Sequence, residues 1–96
     1  MQTLAKRLED RIPLTVRVDL RSLNVRERVQ EALTENVSIH GVRVVSSRPW
    51  KPNERLNLHS LPGDLRARAR VIYCEPLGVN SFAIGLQLLA AAGNWN

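Results

Sequence analysis

Two arginines near the start of the chain, Arg7 and Arg11, stand four residues apart in a polar segment that precedes the first apolar stretch. The guanidinium of arginine is a planar fork of N–H donors, which suits phosphate oxygens and the O6/N7 edge of guanine. The spacing carries little information by itself, because in a chain with twelve arginines it is expected by chance and a solvated surface explains it better. The same spacing recurs at Arg17/Arg21 and at Arg66/Arg70.

A second polar group follows at residues 36–41, where the sequence reads Asn-Val-Ser-Ile-His-Gly. The amide of Asn36 can donate and accept at a base edge, and the hydroxyl of Ser38 can meet a phosphate or a carbonyl oxygen. Gly41 allows the backbone to approach a ligand closely or to adopt positive φ. A turn between two strands uses the same residue types, and for this segment alone the turn is the stronger interpretation.

The remaining reactive side chains do not form a recognisable catalytic or metal-binding pattern. The single cysteine, Cys74, has no second cysteine or histidine at zinc-ligand spacing. His40 and His59 likewise lack a partner at ligand spacing, and Glu9–Asp10 are best explained as local partners for the neighbouring basic residues. We therefore predict no catalytic residues, no metal site, no cofactor and no enzymatic activity.

Alternating apolar and polar residues predict the elements that position these groups. Residues 14–20, 65–73 and 82–88 have the period of strands with one buried face, with Tyr73 and Phe82 on the inward side. Shorter strands are predicted at 42–46 and at 55–59, where Leu56 and Leu58 point inward. Several short strands separated by Gly and Pro indicate an all-β fold, as a closed or nearly closed antiparallel barrel.

Two segments also match a helix. Val25, Val29 and Ala32–Leu33 recur at helical spacing after an N-cap candidate at Ser22 or Asn24, so periodicity alone predicts a helix there. Residues 86–93 could complete the last strand and begin a short C-terminal helix. Residues 94–96 are then expected to be loose.

Bulk properties favour one folded domain spanning residues 1–96. Apolar residues make up 44% of the chain, and the net charge is +5. The N-terminal segment lacks the apolar region of a signal peptide, and no apolar run is long enough to span a bilayer. With the single cysteine, this predicts a cytoplasmic protein without membrane insertion.

The order of these features resembles the PilZ domain family. Arg7 and Arg11 precede the first strand, Asn36-x-Ser38-x-x-Gly41 opens a later strand, and residues 83–86 match the aliphatic-Gly-aliphatic end of that fold. The resemblance covers about residues 6–88. It implies a six-stranded antiparallel β-barrel at 13–89, a flexible N-terminal arm at 1–12 and a tail at 90–96. It also implies a strand at residues 28–36, contrary to the helical periodicity.

What the resemblance implies for function is a bacterial receptor for cyclic di-GMP that changes conformation on binding and relays the signal to a protein partner. The implied ligand-binding residues are Arg7, Arg11, Asn36, Ser38 and Gly41. The residue before the first arginine, here Lys6, is implied to influence whether one ligand or an intercalated pair binds, and the stoichiometry stays open. Asn36 stands where the family often has Asp, which keeps acceptor capacity but removes a charge.

Two alternatives use the same barrel differently. An OB-like nucleic-acid-binding barrel would use the outward stripe Arg66, Arg68 and Arg70, but such sites need exposed aromatic side chains for base stacking. Only Trp50 and Trp95 fall outside the inward register, so DNA or RNA binding is not expected. The other alternative is a PilZ-like scaffold that binds a protein and no nucleotide.

Overall fold

The computed structural model describes residues 11–26 and 28–95, which form seven β-strands. The predictions for Lys6, Arg7 and most of the N-terminal arm concern residues outside the described ones. The strands, in chain order, are β1 Ile12–Pro13, β2 Arg17–Ser22, β3 Val29–Val37, β4 Gly41–Ser46, β5 Arg55–Ser60, β6 Arg66–Gly78 and β7 Ser81–Ala92.

Strands β2 to β7 form one closed antiparallel barrel in the spatial order β3-β2-β5-β6-β7-β4, and β4 pairs back with β3. β1 is an additional short strand beside the end of β3, with Pro13 opposite Asn36. The prediction of an all-β, six-stranded antiparallel barrel is confirmed. None of the described residues lies in a helix, and so none lies in one long and apolar enough to cross a membrane.

One side of each strand fills the barrel interior. Val18, Leu20, Leu56, Leu58 and Val71 are each at most 1% exposed, and the residues between them along β2 and β5 face outward. This is the period of two that the sequence predicted. A barrel of only six strands is too narrow to hold more than its own side chains. Any ligand must therefore bind on the outer surface.

The helix predicted from the periodicity of residues 25–33 is wrong. Residues 29–37 form strand β3, as the family resemblance implied, and Val29 and Leu33 are each 46% exposed. β3 pairs with β2 on one side and with β4 on the other. The hydrogen bonds to two neighbouring strands, with burial of Ala32 and Thr34, outweigh a weak local spacing of apolar residues.

A β-bulge interrupts β3 between Thr34 and Asn36. Thr34 and Val37 are both buried although they are three residues apart, because Glu35 is an extra residue that shifts the alternation. The hydroxyl of Thr34 donates to the carbonyl of Leu14 and accepts from the amide of Val16 at 2.9 Å. The bulge turns Asn36 to the outer face of the barrel.

A second bulge, at Ile72, corrects the position predicted for Tyr73. Val71 pairs with Leu86 and Tyr73 with Gly85, so Ile72 is an extra residue and Tyr73 turns to the outer face. Its ring covers Gly85, where a Cβ would lie 2.1 Å from the Cε2 atom of Tyr73. Gly85 is therefore required by the close approach of this ring.

The expectation that Trp50 lies outside the core is also wrong. Trp50 is 2% exposed, and the guanidinium of Arg28 lies 4.1 Å from the centre of its ring. Arg28 also donates to the carbonyl of Pro49 and lies 3.6 Å from the carboxylate of Glu54. The Glu54 carboxylate is buried and accepts a hydrogen bond of 2.9 Å from Ser22. This polar cluster holds Trp50 against the core.

The C-terminal end is more ordered than expected. β7 continues to Ala92 in place of the short helix, and Gly93 turns the chain with a φ of 89°. The amide of Asn94 donates to the carboxylate of Asp64 at 2.8 Å, and Trp95 packs against the core. Residues 94 and 95 are therefore held by the β5–β6 connection and are not loose.

The two tryptophans should differ in their contribution to stability. Trp50→Ala removes a fully buried ring, and we expect a loss of about 3–5 kcal/mol in the free energy of unfolding. Trp95→Ala removes a half-buried ring and should cost clearly less. Urea denaturation followed by far-ultraviolet circular dichroism measures both. Equal losses would contradict the burial of Trp50 beneath Arg28.

Gly85→Ala should destabilise the barrel by about 1–3 kcal/mol, because the new methyl group displaces the ring of Tyr73. Gly78→Ala is the matched control, since a Cβ at Gly78 meets nothing within 4 Å. The control should stay within about 0.5 kcal/mol of the wild type or gain stability. Thermal denaturation of both variants is the measurement. A Gly85→Ala protein as stable as the control would show that Tyr73 does not pack on this strand.

Candidate functional site

The two sequence motifs meet at Arg11 and Asn36, which are 25 residues apart in the chain. Arg11 directly precedes β1, and β1 pairs with the end of β3, so the arginine lies beside the outward-facing Asn36. The Nη1 atom of Arg11 donates a hydrogen bond of 2.7 Å to the Oδ1 atom of Asn36. This bond lies on the exposed outer surface. Arg7 and Lys6 lie outside the described residues.

Ser38 and Gly41 bracket the turn between β3 and β4. The amide of Ser38 donates to the carbonyl of Gly41 at 2.8 Å, and its hydroxyl lies 3.4 Å from the same oxygen. Gly41 is buried, and a Cβ there would lie 3.1 Å from the carbonyl oxygen of Leu86 on β7. Close packing against β7, and not a positive φ, is thus what favours glycine here. The motif is a structural turn as well as a candidate site.

Arg43 lies directly opposite Asn36 on β4 and is bound by several partners. Its Nε atom donates to Glu35 at 2.5 Å, and its Nη1 atom lies 2.9 Å from the hydroxyl of Tyr73 and 3.2 Å from Glu75. The hydrogen bond with Tyr73, and then the one with Glu35, raises the pKa of Arg43 above its already high value. Arg43 is therefore a fixed cation beside the motif residues.

Arg43 was not among the site residues predicted from the sequence, although the sequence contains a signal for it. A hairpin whose turn spans residues 38–41 aligns residue 37 with 42 and residue 36 with 43, and this is the observed register. Because Tyr73 was predicted to point inward, its hydrogen bond with Arg43 on the outer face was not expected. The row from Asn36 through Arg43 to the Gly85–Tyr73 pair crosses β3, β4, β7 and β6 on the outer face.

The arrangement offers hydrogen-bond donors on an open surface. Arg11 uses one of the five N–H donors of its guanidinium on a neutral amide. Within residues 11–26 and 28–95, no group of three or more His, Cys, Asp or Glu could hold a metal ion. Cys74 is half-buried against the core. The surface around Arg11 can therefore form hydrogen bonds with polar or anionic groups.

Comparison with known proteins identifies the family. A search of curated proteins finds no match to this chain. The family model of the PilZ domain matches residues 5–92, which include both motifs and all seven strands. With a match over nearly its whole length and a closed six-stranded barrel, the chain belongs to the PilZ domain family.

Proposed function

We propose that this protein is a receptor domain for cyclic di-GMP that binds the ligand at Arg11, Asn36, Ser38 and Gly41, together with Arg7. PilZ domains are generally receptors for cyclic di-GMP and are not catalytic. The observation that carries the proposal is the 2.7 Å hydrogen bond between Arg11 and Asn36, because it joins the two motifs of the family at one exposed place.

The chemistry of the ligand matches these side chains. Cyclic di-GMP carries two phosphates and two guanines, and an arginine fork forms paired hydrogen bonds with phosphate oxygens or with guanine O6 and N7. One donor of Arg11 is engaged with Asn36, which fixes the direction of the guanidinium without neutralising its charge. An arginine held by a neutral amide keeps its full attraction for an anion.

Asn36 can take part without releasing Arg11. Its Oδ1 atom has two lone pairs, of which Arg11 uses one, and its Nδ2 group is a donor. The second lone pair can accept from the N1–H and N2–H edge of guanine. Ser38, in the adjoining turn, adds a hydroxyl whose 3.4 Å contact with the carbonyl of Gly41 is long for a hydrogen bond and easily exchanged.

The N-terminal residues complete the proposed site. Arg7, with Lys6 before it, stands four residues ahead of Arg11 and would close over the bound ligand. Ordering such a segment costs conformational entropy, so the loss of either arginine weakens binding by more than its own contacts. Ligand binding thereby changes the surface of the protein, and a downstream protein partner recognises the changed surface.

Calorimetric titration of cyclic di-GMP tests the receptor function. We expect saturable binding to the wild type and none of GTP or cyclic di-AMP. Arg11→Ala and Asn36→Ala should each weaken binding at least tenfold, about 1.4 kcal/mol, because each removes one of the joined groups. The Arg7→Ala/Arg11→Ala double variant should show no binding.

Arg48→Ala provides the matched control, since it removes one exposed arginine in the connection after β4. Its affinity should stay within about twofold of the wild type. Unchanged titrations for Arg11→Ala and Asn36→Ala would refute the site. No heat from folded wild-type protein would refute the receptor function and favour a scaffold that binds no nucleotide.

A further inference from the structure

The barrel has a second polar surface, formed by the outer faces of β2, β5 and β6 and by the end of β7. These strands line an open groove of about 680 Å³. We call it the arginine groove, after Arg21, Arg66 and Arg68. The motif residues lie where β3 ends and β4 begins, whereas Arg21 pairs with Val29 at the opposite end of β3. None of the motif residues lines the groove. The groove is thus a different part of the molecule.

Within the described residues, the groove arginines have no side-chain partner, whereas three other arginines of the barrel form ion pairs. Arg17 pairs with Glu31, Arg28 with Glu54 and Arg43 with Glu35 and Glu75. The side chains of Arg21, Arg66 and Arg68 make no ion pair or hydrogen bond within the described part of the chain, and all three are exposed. No ion pair within the described residues therefore compensates their charge.

The strand register arranges these charges regularly. Arg21, Asn57 and Arg68 form one row across β2, β5 and β6. Asp19, His59 and Arg66 form the next row, and Asp19 is the one carboxylate that lines the groove. Arg66 and Arg68 are two residues apart on one strand, which separates their side chains by about 7 Å. Alternate side chains of an extended peptide have the same spacing.

The floor and edges of the groove restrict what can bind there. Residues 90–92 of β7 are alanines, and no Phe, Tyr or Trp lines the groove, where His59 is the one side chain with a ring. Single-stranded nucleic acids are usually held by successive bases stacking on several aromatic rings, which one imidazole does not supply. β2, β5 and β6 are each paired on both sides, so an added strand has no free edge to join. A binding partner must be recognised through its side chains.

We propose that the arginine groove docks an acidic segment of a partner protein, in which Asp or Glu at alternating positions of an extended chain meets Arg66 and Arg68. Arg21, two strands away in the same row as Arg68, adds to the positive charge of the groove. Arginine forks bind carboxylates through paired hydrogen bonds, and the alanine floor lets the backbone of the segment approach closely. This docking uses none of the residues assigned to cyclic di-GMP, so it goes beyond the receptor function and does not require it.

Fluorescence anisotropy with a defined probe tests the proposal. The probe is a fluorescein-labelled peptide of about ten residues with alternating Glu and Ser, long enough to cross the groove. We expect saturable binding to the whole protein that weakens as salt is raised. Arg66→Gln/Arg68→Gln should weaken it at least about tenfold. A peptide of alternating Lys and Ser should not bind.

The control variant is Arg26→Gln/Arg48→Gln, which removes the same charge from exposed arginines outside the groove. It should bind the acidic peptide within about twofold of the wild type. An equal loss of affinity in both double variants would refute the groove as the binding site, because net charge alone would then explain peptide binding. No binding to folded wild type, or tighter groove-dependent binding of a labelled oligothymidine, would also refute it. The groove variant is also titrated with cyclic di-GMP, and its affinity is expected to equal that of the wild type. This result shows that loss of peptide binding does not come from damage to the cyclic di-GMP site.

Discussion

The antiparallel pairing of β3 with β4 closes the barrel, and the other features of the structure depend on it. Without this pairing the six strands would form an open sheet with two unpaired edges. Closure in so short a chain leaves an interior that only side chains can fill, with Leu20, Leu56 and Ile84 fully buried. Binding of a ligand or a partner is consequently confined to the outer surface. One residue in two along each strand points its side chain to that surface.

Departures from that alternation decide which side chains reach the surface together. The bulge at Glu35 turns Asn36 outward beside Arg11, and the bulge at Ile72 turns Tyr73 outward over Gly85. Arg43, between them, is held by Tyr73 and by the bulged Glu35 itself. The bulges therefore form one connected polar surface from strands that would otherwise present unrelated residues.

The arginines of this chain fall into two groups with different physical roles. Arg28 is over the ring of Trp50 and beside the buried Glu54, where it covers one part of the core. Arg43 is similarly fixed by carboxylates and by Tyr73. Arg11 is held by a neutral amide, while Arg66 and Arg68 have no side-chain partner in the described structure. Arginines without a carboxylate partner are free to bind anions, and Arg11 and the groove arginines lie on two separate surfaces.

The sequence alone determined the class of fold and the positions of most of its strands along the chain. Alternation at 14–20, 65–73 and 82–88 reflects one-sided burial, which is a local property of a strand and is visible without its neighbours. The family resemblance identified β3 where periodicity predicted a helix, because Val25, Val29 and Leu33 mimic helical spacing although they are exposed. It also selected Asn36 and Arg11, whose proximity no spacing rule could establish across 25 residues.

Tertiary structure decided whatever depends on register between strands. A single extra residue in a strand reverses the direction in which every later side chain points. The outward positions of Asn36 and Tyr73 therefore follow from pairing with β4 and β7, and not from the alternation along their own strands. The burial of Trp50 likewise required Arg28, which is distant in the chain and is held beside Glu54. The arginine groove needed strands from both halves of the sequence to meet. Composition and spacing describe one strand at a time, whereas these features belong to pairs of strands.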